Sequence, residues 1–374
     1  MNEDKASRYH RLVRRARCLE FLWSAALLIV LLMTGASAAL RDLATTATAA
    51  IGVWKSVAPV AIYVTLLTAL HESLSLGLSY YRCHLIESRY GLSTGSAGRW
   101  LRGYLKVALI WFAFAQVGAC VLYFSVRTWP GWGWMITATA CSLAALWLTK
   151  VAPMLILPLF CEFKPIERDG LRQRLVNLAR DAGTVVLGVY EWTLSGSTRK
   201  ANAALVGIGH TRRILLSDTL LTNYSDDEVE VVLAHELAHH VHGDIWRGLG
   251  FNTVLSFASF FVAQRVLLLI GPLVRVADPG DVAGLPLVLL VLGALSLVAL
   301  PVTNAQSREH ERRADRFALH LTRNPAAFAS AMRRLAQQNL AEERPSRLAQ
   351  AFFYTHPPFV DRLQMARQWE ATAH

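Results

Sequence analysis

"VAGLPLVLLVLGALSLVALPV", residues 282–302, runs for 21 positions without one charged side chain. That is close to the roughly 20 residues an α-helix needs to cross the hydrocarbon core of a bilayer. Five further stretches are similarly long and apolar, with Glu72 and Arg265 the only charged side chains within the bounds given: 21–40 (FLWSAALLIVLLMTGASAAL), about 58–80, 107–126, about 134–149 or a little beyond, and 249–272. The chain of 374 residues is 53% hydrophobic and 17% charged, with a mean hydropathy of +0.32. Six such segments would need a soluble shell that the remaining residues cannot supply, so they are expected to be six transmembrane helices. The first lacks a clear small-residue cleavage site and five more follow, so it is read as a retained anchor and not a signal sequence.

Lys and Arg in short connections are retained on the cytoplasmic side of a membrane and so orient the spans. Lys5, Arg8, Arg11, Arg14, Arg15 and Arg17 precede the first span, and Arg82, Arg89, Arg99 and Arg102 follow the second. The opposite side carries few: Arg41 and Lys55 after span one, Arg127 after span three, and Arg275 outnumbered by Asp278 and Asp281 after span five. The polar regions 162–248 and 303–374 are therefore expected to share the cytoplasmic face. The net charge of +11 lies mostly beside membrane segments, where it meets anionic head groups, so nucleic acid is not an expected partner. Cys18, Cys83, Cys120, Cys141 and Cys161 show neither paired nor metal-type spacing and read as small apolar residues of a reducing compartment.

Just before the fifth span lies "VVLAHELAHHVHGD", residues 231–244. Upstream, Ser225 and Glu228 have the spacing of a capping box, with Asp226 and Asp227 in the first turn. A helix is expected from there to about Val241, ended by Gly243. His235 and His239 are one turn apart, so both imidazoles can converge on one ion, while Glu236 lies beside it. This is the arrangement in which two neutral histidines hold Zn²⁺ and the carboxylate takes a proton from activated water. A catalytic zinc takes three protein ligands. The best candidate for the third follows the opening stretch, in "NAQSREHERRADRFAL", residues 304–319. Glu311 can ligate, and Asp315, one turn on, can accept the second ring N–H of His235. Two spans separate the helices, an even number of crossings, which is what a shared ion requires.

These motifs, in order, resemble the integral-membrane zinc endopeptidases that include the type I CAAX prenyl protease, with the bacterial heat-shock membrane protease HtpX as a more distant relative. The resemblance runs over roughly residues 70–370. It takes in "LIESRYGLSTGSAGRWLRGYLK", "APMLILPLFCEFKPI", "GSTRKANAALVGIGHTRRILLSDTLL" and "YTHPPFVDRL" besides the two metal motifs. It implies that His235, His239 and Glu311 hold one Zn²⁺, that Glu236 is the general base, and that Asp315 supports the ligands. It further implies that Asn202 and Ala203 bind substrate, that His356 contacts the substrate carbonyl, and that Arg362 supports the site. The residues alone offer a hairpin, with Asn202 opening an apolar run that turns near Gly209 and returns as "RRILLS", whose edge strand could align a peptide by strand addition. Three features depart from the family. Its eukaryotic members begin with one more span, the segment before Asn202 is shorter here, and Ala204 stands where a bulky aromatic is usual.

The fold implied is mainly α, a polytopic helical membrane protein of about six spans with a membrane-apposed gluzincin-type metalloprotease domain containing a small β-hairpin or sheet. The division expected is 1–160 for four spans, 161–248 for the first part of the protease domain, 249–302 for two more spans and 303–374 for the second part. Six polar residues fall within spans: His71, Glu72, Gln116, Asn252, Gln264 and Arg265. Either they line a water-filled cavity above the zinc, or Glu72 and Arg265 form a structural ion pair between helices. His210, His240 and His242 are expected at the surface or behind the ligands. The function expected is hydrolysis of membrane-associated or prenyl-peptide-like polypeptides in a bacterial inner membrane, with the site on the cytoplasmic side. The other readings are HtpX-like quality control, site-2-type intramembrane proteolysis, a transporter or zinc-handling protein using His71 and Glu72, and a non-catalytic scaffold. The charged residues around the histidine motif argue against a site buried in hydrocarbon.

Overall fold

A computed structural model describes residues 2–49, 57–160, 162–193, 196, 198–207 and 212–372. Six helices are long and apolar enough to cross a membrane, as expected. The first departs in its boundaries. Helix α1, Asn2–Met33, stops where Gly35 takes a left-handed backbone (φ 75°), and α2, Ala36–Thr48, starts afresh. The left-handed turn favours glycine, and a Cβ there would also displace the Arg275 guanidinium, 2.6 Å away. The helix that carries the first span therefore ends at Met33, short of the expected residue 40.

Helix α3, Ala58–Tyr80, continues through a π-helical turn, Tyr81–Ile86, into the short α4, Glu87–Arg89. Helices α5, Ala97–Thr128, and α6, Gly133–Leu155, complete the N-terminal bundle. Leu22, Trp111, Leu269 and Val298 are each more than half exposed on these spanning helices, a surface suited to lipid and not to water. At one end of the bundle the connections after spans one, three and five meet. Arg41 pairs with Asp281 at 2.6 Å, and Arg127 Nε donates to the Gly280 carbonyl at 2.9 Å. These are the basic-poor connections that the charge distribution places together; Lys55 lies outside the described residues.

The polar regions build one body at the other end. Strand β1, Phe163–Pro165, helix α7, Asp169–Asp181, and strands β2, Gly188–Trp192, β3, Ala203–Val206, and β4, Arg213–Ser217, come first. They form a sheet of order β1-β2-β4-β3, in which β2 and β4 run parallel and the other pairs antiparallel. The expected hairpin is present as β3 and β4, with Ala203 opposite Leu216, and β3 is the sheet edge. Its turn near Gly209, with His210, lies outside the described residues. Helices α8, Asp218–Asn223, and α9, Asp226–Val241, follow; α10, Asp244–Ile270, and α11, Leu285–Thr322, dip into the membrane and return. Helices α12, Pro325–Gln338, α13, Arg347–Phe353, and α14, Phe359–Thr372, close the chain. One apolar core joins Leu171 and Leu175 of α7, Ile214 and Leu216 of β4 and Leu233 and Leu237 of α9 with Leu319 and Phe328 from beyond the last span.

Helix α11 decides where the site can be. At 38 residues it is about 57 Å long, nearly twice the ~30 Å hydrocarbon core. Its apolar first half is the stretch that opens the sequence analysis. Its second half emerges from the membrane and packs along α9.

The polar residues in the spans settle differently from both expected arrangements. Glu72 accepts a hydrogen bond from Tyr104 and lies 3.4 Å from His71 Nδ1, while Arg265 stacks on Phe261, 5.1 Å from the ring centroid. No Glu72–Arg265 pair forms, because rotation of each helix about its axis aims the two side chains at different neighbours. Gln116 donates to the Ala61 carbonyl and Gln264 to that of Pro130. His71 and Glu72 do line a cavity, of about 460 Å³, but Gln116, Asn252, Gln264 and Arg265 are not among its lining residues.

Candidate metal centre

Helix α9 begins as its sequence demands. Ser225 Oγ accepts the Glu228 N–H at 3.3 Å and the Glu228 carboxylate accepts the Ser225 N–H at 2.8 Å, closing the capping box. Glu228 is almost fully buried and also takes bonds from Ser330 (2.5 Å) and Arg334 (2.9 Å), so the cap ties α9 to α12. Burial pushes the Glu228 carboxyl up, but these donors outweigh it and hold it below the usual carboxylate range. The helix ends at Val241, and Gly243, left-handed at φ 65°, turns the chain directly into α10.

One turn of α9 and one position of α11 converge. His235 Nε2 lies 3.3 Å from His239 Nε2 and 3.1 Å from Glu311 Oε2, and His239 Nε2 lies 3.4 Å from Glu311 Oε1. The ligand atoms of these three residues lie within 4.8 Å of one another. The other face of each imidazole is held by a carboxylate. His235 Nδ1 donates to Asp315 Oδ1 at 2.9 Å and His239 Nδ1 to Asp244 Oδ2 at 3.0 Å. Donation from Nδ1 fixes the tautomer that turns each Nε2 lone pair inward.

That arrangement fits a small divalent cation. Two inward lone pairs and a carboxylate repel one another unless a positive charge lies between them. Glu311 Oε2 is buried and accepts no aligned hydrogen bond, although His235 and His356 approach to 3.1 and 2.7 Å. Two imidazole nitrogens and one carboxylate oxygen, with no thiolate, are a donor set of catalytic zinc. Burial disfavours a charged His235, yet Asp315 and Glu311 outweigh it and raise its pKa to about 10. His239 is raised as well, Glu311 and Asp244 together outweighing burial and the neighbouring His235. Both shifts record the negative field in which a cation would sit.

Glu236 points beside this cluster and lines the same cleft, which is about 350 Å³. Burial, the largest effect on it, raises its pKa above the ordinary carboxylate value. Asn202 and Ala203 lie on the opposite wall, at the start of the edge strand. The Asn202 N–H donates to Ser217 Oγ at 2.9 Å and its carbonyl accepts the Ser217 N–H at 2.9 Å, which leaves its exposed side chain available to the cleft. His356, 63% exposed, stands at the rim with its Nδ1 against Glu311. Arg362 does not reach into the cleft as an isolated charge. It clamps Asp315 with Nη2 at 2.5 Å and Nε at 2.8 Å.

The structure thus gathers all nine residues singled out in the sequence. It adds one that spacing left unassigned. Asp244 holds His239 and is itself held by Arg313 at 2.6 Å. The signal was an acid directly after a helix-ending glycine, where a left-handed turn folds the next helix's first residue back onto the last histidine. His10 of α1 also lines the cleft, its Nε2 2.8 Å from the Leu340 carbonyl, and no sequence signal could have found it. His240, half-buried, is pushed down to about 4 by burial and by Arg212 and Lys150, and His242 packs edge-on against Phe317; neither joins the cluster.

Comparison with known proteins extends this picture. Residues 165–370 match the family described as peptidase family M48, and residues 2–162 match that described as CAAX prenyl protease N-terminal, five membrane helices. The likeness therefore reaches further toward the N-terminus than the motifs did. The chain is 31% identical over 291 residues to the uncharacterized metalloprotease YhfN of Bacillus subtilis, covering 75% of this chain and 67% of that protein. It is 26% identical over 326 residues to CAAX prenyl protease 1 of Saccharomyces cerevisiae, covering 80% and 70%. The crystal structure of S. mikatae Ste24p superposes with a TM-score of 0.81 at 22% identity, covering 97% of this chain and 88% of that one, which establishes the shared fold.

Proposed function

Since this chain belongs to peptidase family M48 and is a multi-pass membrane metalloendopeptidase, we propose that it cuts membrane-associated polypeptides with a single zinc held by His235, His239 and Glu311. The observation that carries the reading is the convergence of those three ligand atoms beside Glu236, in a cleft walled by an unpaired strand edge. We assign the peptidase domain to residues 161–248 and 303–374, and its face to the cytoplasm, on the distribution of Lys and Arg along the connections.

Zinc at this position supplies Lewis acidity, polarising water and the scissile carbonyl. Glu236 takes the proton of the attacking water and returns it to the leaving amine. Strand β3 receives the substrate as an added strand, with main-chain bonds that do not depend on its sequence and Asn202 and Ala203 flanking the bond to be cut. His356 is exposed enough to turn from Glu311 toward the carbonyl oxygen, where a donor lowers the barrier by a few kcal/mol. Asp315 and Asp244 hold the two histidines, and Arg362 and Arg313 hold the two acids. The named activity of the yeast relative makes a prenylated carboxyl-terminal peptide one substrate to try, in a bacterial inner membrane beside ordinary membrane proteins.

The test is cleavage by purified full-length protein of a prenylated peptide, its unprenylated form and isolated membrane proteins, with products mapped by mass spectrometry. Glu236→Gln should retain zinc and lose about 10²- to 10⁴-fold in turnover. Chelators should stop the parent, and serine- and cysteine-directed reagents should not. Cleavage by Glu236→Gln at the parental rate overturns the assignment of the base.

A further inference from the structure

Two cavities apart from the cleft share walls from α1, α3 and α5. The upper, about 670 Å³, sits where α1, the π-helical turn and the start of α5 leave the membrane, roofed by Thr198 and Lys200 of the peptidase domain. Arg17, Arg82, Arg99 and Lys200 line it, with aromatic walls from Tyr9 and Trp100. The lower, about 460 Å³, lies inside the bundle, lined by α1, α3 and α5 and closed by Cys141 of α6, Phe260 of α10 and Leu289 of α11, and it reaches the bundle surface at Trp111, which is 64% exposed. Tyr104 lines the upper cavity and Glu72 the lower, and their hydrogen bond is the wall between the two.

The charges do not cancel. Arg82 is paired with Glu20 at 2.7 Å and Lys200 with Glu87 at 3.1 Å. Arg99 donates to a neutral carbonyl, that of Gly196, and Arg17 has no ion pair among the described residues. Two guanidiniums without acidic partners thus face one concavity at the membrane surface, above an apolar slot. Arginine in such a place matches phosphate oxygens in pairs. Ser24 bonded to His71, and Tyr104 bonded to Glu72, form a polar belt at the level between, where the ester groups of a glycerophospholipid would lie. The rare π-helical turn is what brings Arg82 and Cys83 to this wall, and such turns recur at functional sites. Gly118 lines the slot, and a Cβ there would project into open space.

We propose that the cleft between α1, α3 and α5 binds one anionic phospholipid, its phosphate on Arg17 and Arg99 and its acyl chains in the lower cavity. Basic pockets between spans on the cytoplasmic side recognise anionic head groups, and both volumes fall in the roughly 300–1,000 Å³ range of ligand sites. The site is separate from the zinc ligands, but Lys200 precedes Asn202 by two positions, so an occupied head pocket would also brace the strand that lines the cleft.

The experiment uses full-length protein in detergent, native mass spectrometry of bound lipid, and phosphatidylglycerol against phosphatidylcholine with the same chains. One phosphatidylglycerol per chain is expected, bound at least tenfold more tightly than phosphatidylcholine. Arg17→Gln and Arg99→Gln should each weaken it about fivefold, from roughly 1 kcal/mol per basic residue near a charged lipid surface. Gly118→Leu should weaken both lipids by filling the slot, a readout that does not depend on charge. Equal binding of the two lipids, or unchanged binding in both arginine variants, overturns the proposal. So does competition at this site by a prenylated peptide but not by phosphatidylglycerol.

Discussion

Asp315→Asn tests how the metal centre is held. Asp315 is fully buried and takes three bonds at 2.5 to 2.9 Å, two from Arg362 and one from His235. Asparagine keeps the shape and one acceptor but removes the charge. Arg362, with a side chain 13% exposed, is then left as a buried cation without its partner, a loss of about 3–5 kcal/mol in comparable cases. His235 can also take the wrong tautomer, and loss of such a support costs about 10- to 100-fold in metal affinity. The measurements are thermal or denaturant unfolding in detergent and zinc affinity in a metal-buffered titration. Adding Arg362→Met to Asp315→Asn should recover part of the stability, because the stranded charge is gone, but none of the zinc affinity. Parental stability and zinc affinity within twofold in Asp315→Asn would show that the carboxylate neither balances Arg362 nor orients His235.

Asp244→Asn should weaken zinc by about 10- to 100-fold through His239, with Asp244→Glu recovering less than the parent because the short turn at Gly243 fixes the reach; equal affinities in equilibrium dialysis contradict this. Glu228 has a folded pKa below its ordinary value, so its stabilisation is complete above the unfolded pKa and is lost as pH falls through the folded one. The stability gap between the parent and Glu228→Gln should therefore shrink as pH drops below about 4.3, and a gap that widens refutes the reading.

The parts of this protein that were legible from its sequence are those whose cause is local. Twenty apolar residues cross a bilayer whatever their neighbours do, so the six spans could be read from hydropathy alone. The capping box at Ser225 and Glu228 and the glycine at 243 bound α9 through contacts within a few positions, and an i, i+4 spacing places His235 and His239 on one face by helical geometry. Counting crossings added that the histidine helix and Glu311 can leave the membrane on the same side, the condition for sharing an ion. The early break at Gly35 has a local cause as well, a left-handed glycine, but the apolar run continues past it and so hydropathy does not mark it.

Tertiary structure alone decided which way the helices face. Hydropathy sets how long a span is but not its rotation, so Glu72 met Tyr104 and Arg265 met Phe261, where a pairing of opposite charges had been one of two expectations. The same holds at the site. Which acid supports His239, how Arg362 is spent on Asp315, and that His10 enters the cleft all depend on groups brought together from distant segments. The sequence marked His235, His239 and Glu311 as candidate ligands because a metal needs particular atoms at a particular pitch. The surrounding carboxylates, arginines and cavities were fixed by packing, because a buried charge takes whichever partner the folded neighbours place within reach.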